Sequence, residues 1–227
     1  MADGGGLLVV LEGAEGVGKS TQIRRLAEWL EQREVGAVVV REPGGSPLGE
    51  HIRALLLDSV GDMPPAAEAL LFMASRADLM ARVIEPALAE GRIVLADRFF
   101  LSTYAYQVEA RGLPLAEVNA ANALATGHRR PDPTLLLSLP DAERRARAAR
   151  RGAPDRIERA GDAFHEMVAT AFDSFLDPIW LRAHPECGPV ARIDAAGSAG
   201  EVQERVVTVL RSRWPDRFAA ARSSGTR

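Results

Sequence analysis

Eight consecutive residues near the start of the chain have the composition and spacing of a phosphate-binding loop. Their sequence, Gly13-Ala14-Glu15-Gly16-Val17-Gly18-Lys19-Ser20, fits G-x-x-x-x-G-K-[ST] at every fixed position. Glycines let the backbone turn so that successive amides surround an anion at the start of a helix. In such loops the lysine reaches the β- and γ-phosphates of ATP and the hydroxyl binds Mg²⁺, so we predict a catalytic Lys19 and a metal-binding Ser20. The predicted ATP-binding residues are Gly13, Ala14, Glu15, Gly16, Val17, Gly18, Lys19, Ser20 and Thr21.

Lys19 is the only lysine in the chain, because the other members of the 28 basic residues are all arginine. The base composition of a genome can favour arginine wherever either cation serves, which makes the exception informative. A compact ammonium group on a flexible stem is needed where a planar guanidinium does not fit. The solitary lysine therefore supports the assignment of the loop.

A second element for nucleotide binding is a strand that ends in an acid. Ile93-Val94-Leu95-Ala96-Asp97 has this form, and Asp97 is our second predicted metal ligand. Arg98 follows at the carboxyl edge, where open parallel sheets bind their ligands. A local ion pair between Asp97 and Arg98 is the alternative interpretation.

Arginines are concentrated between Asp141 and Arg159. This segment holds seven arginines and four acids, a net charge of +3 in a chain of net charge −3. Most such runs are solvated helix faces. Here Gly152-Ala153-Pro154 interrupts the run, which favours a mobile lid over about 141–159 whose arginines neutralise charge on a transferring phosphoryl group.

The elements that must position these residues alternate between strand and helix. The predicted strands are Leu7–Glu12, Ala37–Arg41, Arg92–Asp97, Thr134–Leu139 and Val190–Asp194. The predicted helices are Ser20–Arg33, Pro47–Leu57, Pro64–Ala89 with Pro86 as a point of possible breakage, Leu115–Ala125, Asp141–Arg151, Arg156–Leu181 and Glu201–Arg213. Such alternation predicts an α/β three-layer sandwich of the P-loop NTPase type, with helices on both faces of a five-stranded parallel sheet. We expect one domain over 1–214 and a flexible tail over 215–227.

Composition excludes several classes of protein. The hydrophobic content of 47% and the length of 227 residues fit one globular core. A net charge of −3 gives no reason to expect a nucleic-acid partner, and no apolar run is long enough for a membrane span. Cys187 is the only cysteine, so no internal disulfide is expected and the cytoplasm is the predicted location. A metal-dependent hydrolase is disfavoured because the histidines are scattered singly, at His51, His128, His165 and His184.

Four blocks of the sequence resemble one family, the bacterial thymidylate kinases. The first two are the phosphate loop with its flanks (11–21) and Arg41-Glu42-Pro43-Gly44-Gly45-Ser46-Pro47-Leu48-Gly49, where the family usually has threonine in place of Ser46. The others are Asp97-Arg98 with the residues up to Gln107, and Asp155-Arg156-Ile157-Glu158 in the lid. They follow the family order from about residue 7 to 195. The resemblance implies transfer of phosphate from ATP to thymidylate (dTMP), with Mg²⁺.

The resemblance also implies a role for each residue of an acceptor pocket. In the family, the aromatic side chain that matches Phe72 stacks on thymine and the arginine that matches Arg76 donates to a base oxygen. Thymine presents an acceptor at O4, where cytosine presents a donor amine. Arg98 matches the arginine that holds the acceptor phosphate, and Glu15 and Tyr106 match residues at the 3′ and 2′ positions of the sugar. The implied pocket residues are Glu42, Arg53, Phe72, Arg76, Arg98, Ser102, Thr103, Tyr106 and Gln107.

Glu15 further places the chain within the family. Some relatives carry a catalytic arginine in the phosphate loop, whereas others have an acid or small residue there and supply the arginine from the lid. This chain has no arginine between Leu7 and Ile23, so it resembles the second kind. The implied catalytic residues are Lys19, Glu15, Arg150, Arg151 and Arg156, with the order of the three arginines open.

The partners and the alternatives complete the expectations. Family resemblance suggests a homodimer packed through helices. A kinase for another nucleoside monophosphate or for a deoxynucleoside is the alternative within the class. A P-loop ATP-binding regulator that hydrolyses slowly and acts through partners is the alternative from another class.

Overall fold

Short runs of leucine, isoleucine and valine form a parallel sheet at the centre of the molecule. The computed structural model describes residues 5–58, 62–149 and 155–218. Within these ranges the strands are β1 (Leu7–Glu12), β2 (Ala37–Arg41), β3 (Ile93–Asp97), β4 (Thr134–Ser138) and β5 (Val190–Asp194). They pair in the order β2-β3-β1-β4-β5, and every pair is parallel. The predicted five-stranded parallel sheet is confirmed.

Helices occupy the connections between the strands and cover both faces of the sheet. Their bounds are α1 (Lys19–Glu31), α2 (Pro47–Asp58), α3 (Pro65–Leu79), α4 (Glu85–Ala89), α5 (Phe100–Thr103), α6 (Leu115–Thr126), α7 (Asp141–Ala148), α8 (Asp162–Ser174), α9 (Pro178–Ala183) and α10 (Ala199–Arg213). Alternate residues of β1 enter two separate hydrophobic clusters, with Leu8 and Val10 in one and Val9 and Leu11 in the other. The α/β three-layer sandwich is confirmed. Among the described residues, each helix is too short or too polar to cross a lipid bilayer.

The sheet brings the two nucleotide-binding motifs together at one edge. Strands β1 and β3 are neighbours, and Leu11 is in register with Asp97. The phosphate loop leaves the carboxyl end of β1 and leads directly into α1, so its first helical residue is Lys19. The loop and the acid therefore lie side by side, as expected at the carboxyl edge of a parallel sheet.

The helices differ from the prediction in three places. The helix predicted over Arg156–Leu181 is wrong, because Gly161 has φ +91° before α8 and Asp177 caps a separate helix that begins at Pro178. The stretch from Pro65 to Ala89 stays helical, with a π-helical turn over Met80–Ile84 directly before Pro86. A helix that the prediction did not include follows β3, where α5 continues as a π-helix over Tyr104–Ala110.

The packed part of the chain extends beyond the predicted domain boundary. Phe218 is fully buried and stacks on Trp29 of α1, with ring centroids 6.3 Å apart. Arg217 donates to the carbonyl oxygens of Gly5 and Gly91, both at 2.7 Å. A flexible tail from residue 215 is therefore wrong for 215–218, and the rest of that prediction lies outside the described residues.

Candidate active site

The phosphate loop wraps around the ammonium group of its own lysine. The loop glycines Gly13, Gly16 and Gly18 have φ values of +135°, +82° and +95°, which side chains with a Cβ rarely adopt. Lys19 Nζ donates to the carbonyl oxygens of Gly13 at 2.7 Å and Ala14 at 2.9 Å. The side chain is buried. Because these bonds hold the ammonium over the loop, it is placed to meet an anion bound there.

The surroundings of Lys19 change its acidity. The pKa of Lys19 is lowered from 10.5 to about 7, first by burial and second by the neighbouring Arg98. Asp97, Glu12 and Glu15 act in the opposite direction. An anionic ligand in the loop would stabilise the charged form, because the ammonium would then have a partner.

The two predicted metal ligands are in direct contact. Ser20 Oγ donates to Asp97 Oδ2 at 2.7 Å. The described residues contain no group of three or more His, Cys, Asp or Glu side chains that could hold a metal by themselves. Mg²⁺ keeps several waters and commonly uses one or two protein oxygens together with phosphate oxygens. The pair of oxygens therefore fits a magnesium site that is completed by a nucleotide.

A cavity of about 290 Å³ extends from the phosphate loop into the molecule. It is lined by all nine residues that the sequence implied for the acceptor pocket: Glu42, Arg53, Phe72, Arg76, Arg98, Ser102, Thr103, Tyr106 and Gln107. Glu15, Lys19, Ser20 and Asp97 from the nucleotide side line the same cavity. Five residues that were not among the predicted site residues also reach it: Arg41, Leu57, Asp155, Ile157 and Glu158.

Arg98 lies where the two sides of this cavity meet. Its backbone has φ +75°, an unusual conformation for a residue other than glycine. Its Nη1 donates to Ser102 Oγ at 3.0 Å and to the Gly13 carbonyl at 3.4 Å, and its guanidinium lies 5.2 Å from the Tyr106 ring centroid. No ion pair joins it to Asp97, although both residues are described. The guanidinium is therefore held by neutral groups, so its charge is not cancelled by a direct partner.

The floor of the cavity is a buried network around Arg76. Its Nε and Nη2 donate to the carboxylate of Glu42, and Nη2 also donates to the Phe99 carbonyl at 3.0 Å. Its Nη1 donates to Thr103 Oγ1 at 3.0 Å and to Asn122 Oδ1. Burial raises the pKa of Glu42, which Arg76 opposes. All five N–H groups of Arg76 thus have acceptors within the protein, so a base oxygen would have to share or replace one of them.

Comparison with known proteins agrees with this geometry. The family model described as thymidylate kinase matches residues 11–184. A thymidylate kinase of Desulfosudis oleivorans is 45% identical, over 92% of this chain and 98% of that protein. One of Symbiobacterium thermophilum is 42% identical, over 97% and 99%. A crystal structure of thymidylate kinase from Ehrlichia chaffeensis superposes with a TM-score of 0.70 at 27% identity, covering 91% of this chain and 99% of that one.

The chain belongs to the thymidylate kinase family. The family resemblance carried by the four sequence blocks is confirmed, and so is the assignment as a nucleoside-monophosphate kinase. Neither the kinase for another acceptor nor the P-loop regulator gains support from these relatives.

The lid that the family resemblance implied is described in part. Helix α7 packs directly on the phosphate loop, since a Cβ at Gly16 would lie 2.3 Å from the Arg144 carbonyl oxygen. Arg150 and Arg151 lie outside the described residues. Arg156 is not in the cavity, because its Nε donates to the Leu56 carbonyl at 2.7 Å and its Nη2 to Glu68 at 2.6 Å. This position does not support a catalytic role for Arg156, which remains a prediction.

A second cavity, of about 380 Å³, lies on the other side of the phosphate loop and was missed from the sequence. It is lined by Gly16, Val17, Gly18, Thr21, Gln22, Arg147, Ala195, Gly197, Ala199 and Val202. Arg147 bridges its rim by donating to the Ala195 carbonyl at 3.1 Å. The sequence showed Arg147 only as one arginine among seven, and no motif marks the turn after β5.

Glu12 is a further residue of the site that motif matching missed. Its carboxylate is fully buried and accepts from the amides of Phe99 at 2.7 Å and Ser102 at 3.0 Å, and from Ser102 Oγ at 2.7 Å. Ser102 Oγ also accepts from Arg98, so Glu12 holds in place the serine that binds the Arg98 guanidinium. An acid at the end of a buried strand, directly before the loop, was the available signal.

Proposed function

We propose that this member of the thymidylate kinase family transfers the γ-phosphoryl group of ATP to dTMP, giving ADP and dTDP. The observation that carries the proposal is the single cavity that joins Lys19, Ser20 and Asp97 to the nine residues of the acceptor pocket. A nucleotide on the loop and a monophosphate in the pocket would meet at Arg98.

On the donor side, the backbone amides of residues 13–20 would bind the β- and γ-phosphates, with Lys19 as the point charge among them. Ser20 and Asp97 would hold Mg²⁺, which supplies charge neutralisation between the phosphates when bound. The second cavity, beneath Arg147, borders the phosphate loop and would take the nucleoside of ATP. Arg150 and Arg151 stay our candidates for the arginine that the lid brings to the γ-phosphoryl group.

On the acceptor side, Arg98 would hold the phosphate of dTMP in line with the γ-phosphorus. A phosphate oxygen is already anionic at neutral pH, so the transfer needs no general base. Positioning and charge neutralisation by Lys19 and the arginines then provide the catalysis. Phe72 lies in the pocket wall and would stack on the base.

The decisive assay compares acceptors side by side and couples ADP release to a spectroscopic signal. We expect rapid turnover with dTMP and much less with uridylate, cytidylate or thymidine. Lys19→Ala should lower turnover by about 10³-fold or more, because a charge that stabilises the transition state is lost. Rapid release of ADP from ATP without any acceptor would instead favour the regulator.

We further propose that the chain forms a homodimer. Four leucines are 50–87% exposed on three helices that pack side by side: Leu48 and Leu55 of α2, Leu70 of α3 and Leu124 of α6. A second copy of the chain would bury this apolar face. The cytoplasm remains the proposed location, in keeping with a free and buried Cys187.

A further inference from the structure

One carboxylate outside the cavity connects the lid segment to the acceptor pocket. Glu68 lies in the first turn of α3 and is 1% exposed. Its Oε2 accepts from Arg156 Nη2 at 2.6 Å and from Arg111 Nη2 at 3.1 Å. Its Oε1 accepts from Arg111 Nε at 3.1 Å and from Gln107 Nε2 at 3.3 Å. Three separate parts of the chain therefore meet at this side chain.

The first connection runs through Arg156 to residues 155–160. Asp155 Oδ1 accepts from the amides of Ile157 and Glu158, both at 2.9 Å, and Glu158 accepts in return from the Asp155 amide at 3.0 Å. This turn is closed on itself. It attaches to the body through Arg156, whose amide and Nε reach carbonyl oxygens at the end of α2, and through Ile157, which is buried in the hydrophobic core. Asp155, Ile157 and Glu158 of this turn line the cavity.

The second connection runs to the wall of the acceptor pocket. Gln107 lines the cavity, and its amide nitrogen is held by Glu68. Phe72 and Arg76 follow Glu68 at successive intervals of four residues, so all three lie along one face of α3. A shift of Glu68 would therefore reach both the pocket wall and the turn above it.

The third connection supports the carboxylate from the end of the helix that carries Gln107, where the Arg111 amide donates to the Tyr106 carbonyl at 3.0 Å. Arg111 caps the π-helix over Tyr104–Ala110 and makes a two-point contact with Glu68. Its guanidinium lies 4.5 Å from the Phe164 ring centroid on α8. Arg111 and Arg156 thus share one buried anion, but only Arg156 belongs to the turn.

We propose that Glu68 is a positioning residue for the phosphoryl transfer. It anchors the turn at residues 155–160 through Arg156 and so closes the cavity over the acceptor. The inference deepens the proposed function and rests on it. Glu68 itself does not line the cavity.

The test separates the connections with three variants of similar size. Glu68→Gln removes the shared anion, Arg156→Gln cuts only the turn, and Arg111→Gln, the matched control, cuts only the support. We expect Glu68→Gln and Arg156→Gln to raise the KM for dTMP by about 10-fold, a typical coupling for residues in one network. The double variant should be no worse than either single one. Arg111→Gln should lower the melting temperature while the KM for dTMP stays within about 2-fold of the wild type.

Each other outcome overturns the inference. If Arg111→Gln raises the KM as much as Glu68→Gln does, Glu68 acts only through stability. If Arg156→Gln lowers kcat far more than Glu68→Gln does, Arg156 acts on the phosphoryl group itself. Arg156 is more exposed than Glu68, so its variant is informative even if Glu68→Gln does not fold. A wild-type enzyme that does not phosphorylate dTMP would refute the proposed function first, and the variants would not be needed.

Discussion

At the scale of single residues, Lys19 shows how a site is tuned by burial. Its pKa is about 7 in the folded protein and 10.5 in an exposed lysine. Between these values the unfolded chain binds more protons than the folded one, so the stability of the ligand-free protein must rise with pH across this window. Below pH 7 both states are protonated, and the full cost of burying the charge is present.

We expect this contribution to be visible against Lys19→Met, which keeps the stem and removes the charge. Between pH 7 and 9 the free energy of unfolding of the wild type should rise relative to the variant by up to about 1.4 kcal/mol per pH unit. Urea denaturation at three pH values without nucleotide measures it. Parallel pH profiles for the two proteins would contradict the lowered pKa.

Single residues also show what a sequence can and cannot predict about a site. The phosphate loop and Asp97 are predictable because each has a fixed place relative to a strand. The hydrogen bonds from the Arg76 N–H groups to Glu42, Thr103 and Asn122 are not predictable from the sequence. These residues are brought together only by the packing of separate elements. The same holds for Arg156, whose partner Glu68 is 88 positions away.

At the scale of elements, the contact between α7 and the phosphate loop leaves no room for a side chain at Gly16. A Cβ there would meet the Arg144 carbonyl oxygen at 2.3 Å, on a backbone with φ +82°. Gly18 has a similar φ of +95° but no atom within 4 Å of its added Cβ. An alanine at Gly18 would therefore impose backbone strain alone, whereas an alanine at Gly16 would impose both strain and a collision with α7.

We expect Gly16→Ala to destabilise the protein more than Gly18→Ala does, because strain costs about 1–3 kcal/mol in both and only Gly16→Ala adds the collision. It should also displace α7 and weaken ATP binding. Urea denaturation without nucleotide gives the first comparison and calorimetric titration with ATP the second. Equal loss of stability in the two variants would contradict this prediction, because it would show that α7 moves aside at no measurable cost.

The elements that were predicted well are those with one dominant physical cause. The strands followed from apolar runs that end at glycine or at polar residues. The helix from Phe100 to Ala110 was missed because much of it is π-helical, so its buried aromatic residues do not recur at the spacing of an α-helix. The long helix predicted over Arg156–Leu181 failed because its pattern continued through Gly161 and Asp177-Pro178, where the chain in fact turns.

At the scale of the whole molecule, the exposed leucines of α2, α3 and α6 predict how copies of the chain associate. We expect Leu70→Asp combined with Leu124→Asp to convert a dimer into a monomer, because two charges would be buried in an apolar interface. Analytical ultracentrifugation measures the change. Ile179→Asp is the control, since this residue is 70% exposed on α9, outside those three helices. A wild type that sediments as a monomer, or a double variant that stays dimeric, would contradict the assignment of this face.

The solitary lysine has a consequence for covalent chemistry. An amine with a pKa of about 7 is largely unprotonated at mildly alkaline pH and hence nucleophilic, whereas ordinary surface lysines are not. This chain carries no other ε-amino group to compete for an acylating reagent. A reagent small enough to enter the loop would therefore attach at one side chain, and ATP in the loop would shield it. The extent of labelling at Lys19, measured on the peptide that contains it so that labelling of the α-amino group is not counted, would measure nucleotide occupancy.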